Sequence, residues 1–263
     1  MATSQLISFL ITHFNRPKSL EQCVASIKQH TTNIPFEIVV SDDCSRHENL
    51  DQIKNIPVIR IIESNQNQGL ASNINKGIAA CNGDIIVYIQ EDFRLNENFR
   101  SHFPYILQAL NTNQVDMVRL RSNVRFLKWT ALNDKIKVIP RFSIVDFKRS
   151  PYRYSDHPYV VKRIFYNSFG LYLSGVNTSY GENEYVVRML KLNPIIGLVN
   201  KFCVDEIDEE GSVREEKVGK VLKPTKSFIK PIKQMLVAAR YYLEAILYNK
   251  ENRKLLTFKN IRK

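Results

Sequence analysis

The sequence predicts an α/β fold on a mostly parallel sheet flanked by helices. Three observations predict it. Short apolar runs of strand length alternate with segments of helical period along the N-terminal part of the chain. The runs "LISFLI" and "DIIVYI" carry no apolar–polar alternation, as expected of strands covered on both faces. Polar clusters, "THFNR", "SDDCS" and "QEDF", follow three of the strands, at the carboxyl ends where ligands bind in such sheets.

The elements follow in order. "LISFLI" is the first strand. Pro17 suits the first turn of a helix, and "SLEQ" at residues 19–22 resembles a capping box. Leu20, Cys23, Val24 and Ile27 then share one apolar face. "FEIVVS" and "PVIRII" are the second and third strands. "GLASNINKGIAAC" is a helix with Leu70, Ile74 and Ile78 on its inner face, and "DIIVYI" is the fourth strand. A helix around "FPYILQAL" leads to another strand, "VDMVRL". Residues 119–158 are rich in Arg, Lys and aromatics, and no period orders them. "VDEIDEEGSVREEK" reads as an exposed acidic loop. After "KPTK" a last helix carries one apolar stripe: Ile232, Met235, Leu236, Ala239, Leu243, Ile246 and Leu247. Lys233, Arg240 and Lys250 stand beside it. The expected organisation is one domain over residues 1–218 and a basic amphipathic helical extension over 219–263.

The chain has 263 residues, 44% hydrophobic and 24% charged, as in a globular protein. Its four cysteines, Cys23, Cys44, Cys81 and Cys203, form no CxxC pair, and its five histidines are scattered. That argues against a zinc site or a disulfide framework and for a reducing, cytoplasmic setting. No leader pattern or membrane-spanning run is read. GxGxxG after the first strand and GxxxxGK[ST] anywhere are both absent, so classical dinucleotide and P-loop readings have no warrant. The net charge is +12, and residues Lys220–Lys263 hold 12 Lys+Arg against 2 Asp+Glu. The positive charge therefore belongs to the extension, which predicts an anionic membrane surface as its partner, with nucleic acid not expected. A solvated helical extension is the plain alternative.

"ISFLITHFNRPKSL", "EIVVSDDCS", "NQGLASNINKG" and "GDIIVYIQEDF" resemble, in order and spacing, the nucleotide-binding half of glycosyltransferase family 2, which has the GT-A fold. The resemblance covers roughly residues 5–100, with "GENEYVVRM" similar to the family's acceptor-side motif. It implies a donor half over about 1–100, an acceptor half over about 101–218, and a metal-dependent inverting glycosyltransferase. It also implies a nucleotide-sugar donor, UDP first, a glycan or lipid-linked acceptor in surface polysaccharide assembly, and Mn²⁺ or Mg²⁺ as cofactor. Asp92 takes the metal position and Glu91 the sugar or ribose position, while Gln90 stands where the family has an acid. Asp42 and Asp43 occupy the base- and ribose-reading pair. Thr12, Arg16, Asn67, Gly69 and Lys76 flank the donor. Counting back from Arg188, the general base falls on Glu182, with Glu184 as the alternate and Gly181 where the pair's first acid lies. Trp129, Tyr152, Tyr154 and His157 fall in the acceptor half; packing is the plainer role for them. Two rival readings are a sugar nucleotidyltransferase, whose GxGTR-type opening is absent, and a non-catalytic basic module binding membrane or nucleic acid. The latter leaves the acidic strand ends unexplained.

Overall fold

A computed structural model describes residues 5–31, 34–57, 59–207 and 229–260. In chain order its elements are β1 (Ile7–His13), α1 (Pro17–His30), β2 (Phe36–Asp42), α2 (His47–Lys54), β3 (Ile59–Glu63), α3 (Leu70–Ala80), β4 (Ile85–Gln90) and β5 (Phe93–Leu95). Then come α4 (Glu97–Asn111), β6 (Met117–Arg119), β7 (Thr130–Ala131), β8 (Ile136–Ile139), β9 (Tyr159–Lys162), α5 (Phe165–Phe169) and α6 (Thr178–Leu192). The last are β10 (Ile196–Val199), β11 (Val204–Glu206) and α7 (Ile229–Leu247).

The main sheet runs β3-β2-β1-β4-β9-β6-β10-β8-β7. The β3-β2-β1-β4 half is all parallel, and β9 enters antiparallel between β4 and β6. This is the predicted α/β, GT-A-like architecture. Both sheet faces are covered, as the unalternating strands require. Ile7, Phe9 and Ile11 of β1 and Ile85, Val87 and Ile89 of β4 pack with α1 and α4. Leu10, Ile86 and Tyr88 point the other way, toward α3 and α6.

Helix α1 meets its sequence expectation with one change. Leu20, Cys23, Val24 and Ile27 of α1 are buried. The "SLEQ" capping box does not form, because Pro17 starts the helix two residues earlier and puts Ser19 inside its first turn. The "VDEIDEEGSVREEK" loop is corrected in part. Val204–Glu206 is strand β11, antiparallel to β5, with Val204 buried against Leu95. Residues 208–217 of that stretch, and the 218/219 domain boundary, lie outside the described residues.

Helix α7 docks on the domain through a face other than its apolar stripe. Ala238, Tyr241 and Ala245, with Tyr248 just beyond, are buried in the core that α6 shares. The small alanines let the two helices approach closely, and the tyrosine hydroxyls reach polar partners on α6: Tyr241 donates to Asn183 and Tyr248 to Glu184. The following segment returns over the helix. Arg240 lies 3.7 Å from the Phe258 ring centroid, and the Leu255 N–H donates to Tyr180 Oη at 2.8 Å.

Candidate active site

The carboxyl ends of β1, β2 and β4 open into a cleft of about 830 Å³. Among its walls are Thr12, Arg16, Asp43, Asn67, Gly69, Glu91, Asp92 and Glu182. The order β2-β1-β4 explains the location, because chain connections diverge to either side of β1 and leave a crevice at its end.

The β1 and β2 ends are tied by residues that their register brings opposite, His13 against Asp42. The Arg16 N–H donates to His13 Nε2 at 3.1 Å, so Nδ1 carries the proton and donates to Asp42 Oδ2 at 2.7 Å. Asp42 also accepts the Ser45 N–H at 2.8 Å and the Ser45 hydroxyl at 2.5 Å. Burial works to raise its carboxyl, but the hydrogen bonds from His13 and Ser45 outweigh it and hold the group below the usual aspartate range. Asp42 is fully buried and fixes the loop from beneath. Asp43 faces the cleft. It accepts the Gln68 and Gly69 N–H groups at 2.9 and 2.8 Å, and so shapes the Asn67–Gly69 turn that starts α3. Gly69 has φ +82°, a backbone that favours glycine. Lys76 is not part of the cleft wall. Its ammonium donates to the Asp42 carbonyl at 2.5 Å and to Ser64 Oγ at 2.6 Å, joining the ends of β2 and β3.

At the β4 end a buried strand runs directly into two carboxylates, Glu91 and Asp92. Burial pushes the Glu91 carboxyl up to about 7, and the Asp92 charge adds to it. Burial also raises Asp92, against the pull of Arg16, whose Nη1 lies 3.4 Å from Asp92 Oδ2. Asp92 Oδ1 is buried without a hydrogen-bond partner. Among the described residues, no group of three or more His, Cys, Asp or Glu is placed to hold a metal. The unpartnered Asp92 oxygen beside Glu91 offers the oxygen-donor chemistry that a hard divalent cation takes. Gln90 donates to Tyr88 Oη at 3.2 Å, an amide role that an acid could not fill in its ionised form.

Across the cleft stands α6. Its N-cap is Asn177, whose side chain accepts the Tyr180 N–H at 2.9 Å. Glu182 lines both the cleft and an adjoining recess of about 170 Å³ walled by Tyr152, Tyr154, Tyr172 and Tyr241. Glu184, two residues on, faces inward and is fully buried. It accepts from Arg188 at 3.0 Å, from Arg253 at 3.1 Å and from Tyr248. The structure therefore brings Glu182 to the site and sets Glu184 in the core. Trp129 is exposed beside Lys137, whose Nζ lies 5.6 Å from its ring centroid. His157 lines the cleft, edge-on to Phe93 at 6.0 Å, and burial lowers its imidazole.

Asp156, Glu206, Asn123 and Phe14 also line the cleft. Sequence reasoning passed over them, and over His13. The His13–Asp42 pairing was within reach of a parallel register. Asp156 and Glu206 arrive from β9's approach and from β11, far along the chain and without a local pattern.

Residues 8–170, more than half of the chain, match the profile described as Glycosyl transferase family 2. The chain belongs to glycosyl transferase family 2. The chain is 30% identical over 108 residues to the amylovoran biosynthesis glycosyltransferase AmsE of Erwinia amylovora, covering 38% of this chain and 40% of AmsE. It is 28% identical over 88 residues to an uncharacterized glycosyltransferase of Haemophilus influenzae, covering 33% of this chain and 29% of that protein. The matches thus span well under half of either relative. Among solved structures, residues 1–349 of S. aureus TarS in complex with UDP-GlcNAc superpose with a TM-score of 0.60 at 13% identity, covering 94% of this chain and 69% of that one. The UDP complex of TarS gives a TM-score of 0.58 at the same identity, with 94% and 68% covered. At that identity the likeness shows the fold alone. Its α6 and α7 lie beyond the residues that the profile matches.

Proposed function

We propose that this glycosyltransferase moves a sugar from a UDP-sugar to a glycan or lipid-linked acceptor, with inversion and with Mn²⁺ or Mg²⁺, in surface polysaccharide assembly at the inner face of a membrane. One observation carries the reading. A single cleft has Asp92 and Glu91 on its β4 wall and Glu182 on its α6 wall, and opens beside Glu182 into an aromatic recess. Complexes of TarS with UDP and UDP-GlcNAc, and the polysaccharide role in the name of AmsE, support the donor and the pathway class.

Asp92, with Glu91, would hold the cation, which when bound neutralises charge on the diphosphate leaving group. Arg16, half-turned to Asp92, places a positive guanidinium at the same end of the cleft. Asp43 and the Asn67–Gly69 turn form the wall on which the nucleoside rests. The acceptor lies against the tyrosines of the recess. Glu182 takes the proton of the acceptor hydroxyl as its oxygen bonds to the anomeric carbon. The bond from that carbon to the diphosphate breaks on the opposite side, and UDP leaves with the electron pair. One displacement inverts the anomeric centre.

The test is calorimetry with UDP in the presence of Mn²⁺, set beside turnover of a UDP-sugar panel. Asp92→Asn is expected to abolish cation-dependent UDP binding while the protein stays folded. A folded Asp92→Asn protein that binds UDP and Mn²⁺ as the parent does would falsify the metal assignment.

A further inference from the structure

The stripe that does not dock faces outward. Ile232, Met235, Leu236, Leu243, Ile246 and Leu247 lie on the side of α7 opposite its buried Ala238–Tyr241–Ala245 face, and each is between 48% and 70% exposed. A second element extends this surface. Tyr242, on the flank of α7, stacks on Phe147 with centroids 5.1 Å apart and meets Phe142 edge-on at 5.6 Å. The segment between them presents Phe142, Ile144 and Val145 at 53%, 84% and 59% exposure. Such a contiguous exposed apolar surface marks an interaction site.

The charges around it have one dominant sign. Lys233 and Arg141 are exposed on its two flanks, and Lys250 and Lys254 lie beyond its C-terminal end. The nearby acids Glu244 and Asp146 are buried and turned inward. Glu244 accepts the Leu256 N–H at 3.0 Å, and Asp146 accepts the Leu127 and Lys128 N–H groups at 2.8 and 2.7 Å. Glu251 is the exposed acid of this stretch. Lys220, Lys223 and Lys226 precede the helix in sequence. A second copy would pair this face with itself, bringing its lysines against their own counterparts. The α7 stripe is also aliphatic, whereas protein interface cores favour aromatics. An apolar face with a basic border is instead complementary to acyl chains beneath anionic headgroups.

We propose that α7 and the Phe142–Val145 segment form one docking face that lays the protein on an anionic bilayer. The opposite side of α7 contributes Tyr241 to the recess beside Glu182, so the lipid surface would lie about one helix diameter, ~10 Å, from where the acceptor enters. The service of this face to a lipid-linked acceptor rests on the function proposed above; the docking face itself does not.

The test uses the full chain with vesicles of phosphatidylcholine alone and of phosphatidylcholine with phosphatidylglycerol, at low and high salt, beside calorimetry with UDP and Mn²⁺. The full chain is expected to co-float with the anionic vesicles and to be released by salt. The doubly substituted Leu236→Asp/Ile246→Asp protein is expected to bind them about tenfold to hundredfold more weakly. Both side chains are exposed, so its melting temperature and UDP binding should match the parent's. Absence of vesicle binding by the full chain, or equal binding by the double variant, overturns the docking face. So does a stable dimer that the double substitution dissociates, which would make a second copy the occupant. Vesicle binding with no UDP binding leaves the face standing and sinks the donor reading alone.

Discussion

Glu182 and Glu184 are two residues apart on α6 and meet different surroundings, so their substitutions should separate cleanly. Glu182→Gln is expected to lower glycosyl transfer about 10²–10⁴-fold and to leave UDP binding unchanged, since the amide cannot take the acceptor's proton. Single-turnover assays beside calorimetry check this; equal losses of binding and transfer would count against the base role. Glu184→Ala should instead cost about 3–5 kcal/mol of stability, because Arg188 and Arg253 lose a buried counter-charge. Chemical denaturation measures it. Asp42 gives a prediction in pH. Its folded carboxyl sits below the usual range, so its contribution is present above about pH 4, the ordinary aspartate value, and is lost as pH falls toward the lower folded value. Asp42→Asn is expected to cost about 1–3 kcal/mol at neutral pH and to flatten the acid limb of the stability curve. An unchanged acid limb would remove Asp42 from that role.

At the scale of elements, α3 is held hard against the sheet. A Cβ on Gly77 would collide with the Leu10 side chain of β1 and crowd Ser41 Cβ at 3.1 Å. Gly77→Ala is therefore expected to destabilise by about 1–3 kcal/mol despite alanine's better helix propensity. A melting temperature at or above the parent's would show that α3 can shift. The same elements show what a sequence discloses. Strands β1, β2 and β4 and the inner faces of α1 and α3 were legible, because burial on both faces leaves unbroken apolar runs and single-sided burial leaves a 3.6-residue period. Their polar ends located the cleft. The orientation of α7 was not legible. Its aliphatic stripe outweighs its Ala and Tyr face in any hydropathy count, yet the alanines permit close approach and Tyr241 and Tyr248 have hydroxyl partners on α6. Contact partners decided the face, and periodicity does not report partners. Nor does it report pairings such as β11 with β5, which joins residues more than a hundred positions apart.

For the molecule as a whole, the donor and cation should act as stabilisers. A ligand that binds only the folded state at a hundredfold its Kd adds about 2.7 kcal/mol, or about 5–10 °C in a chain of this size. UDP with Mn²⁺ is expected to give such a shift, GDP with Mn²⁺ a smaller one, and Asp92→Asn none with either. Equal shifts for the two nucleotides would remove the preference for uridine. Among the described residues no helix is long and apolar enough to cross a membrane.

The clamp of Arg253 on Glu184 sets an order of events during synthesis. The two residues are 69 positions apart, and strands β1, β2, β3 and β4 all precede both. A ribosome adding roughly 5–20 residues per second needs roughly 3–14 s to travel from one to the other. Through that interval the nascent α6 has Arg188 for its buried carboxylate but neither Tyr248 nor Arg253. The β3-β2-β1-β4 half of the sheet can thus form while the chain is still being made. The helix bearing Glu182 is locked only once Arg253 has emerged. A product arrested or clipped before that point would carry the β1, β2 and β4 ends of the cleft without a locked α6, and under the proposed function it would hold donor without consuming it.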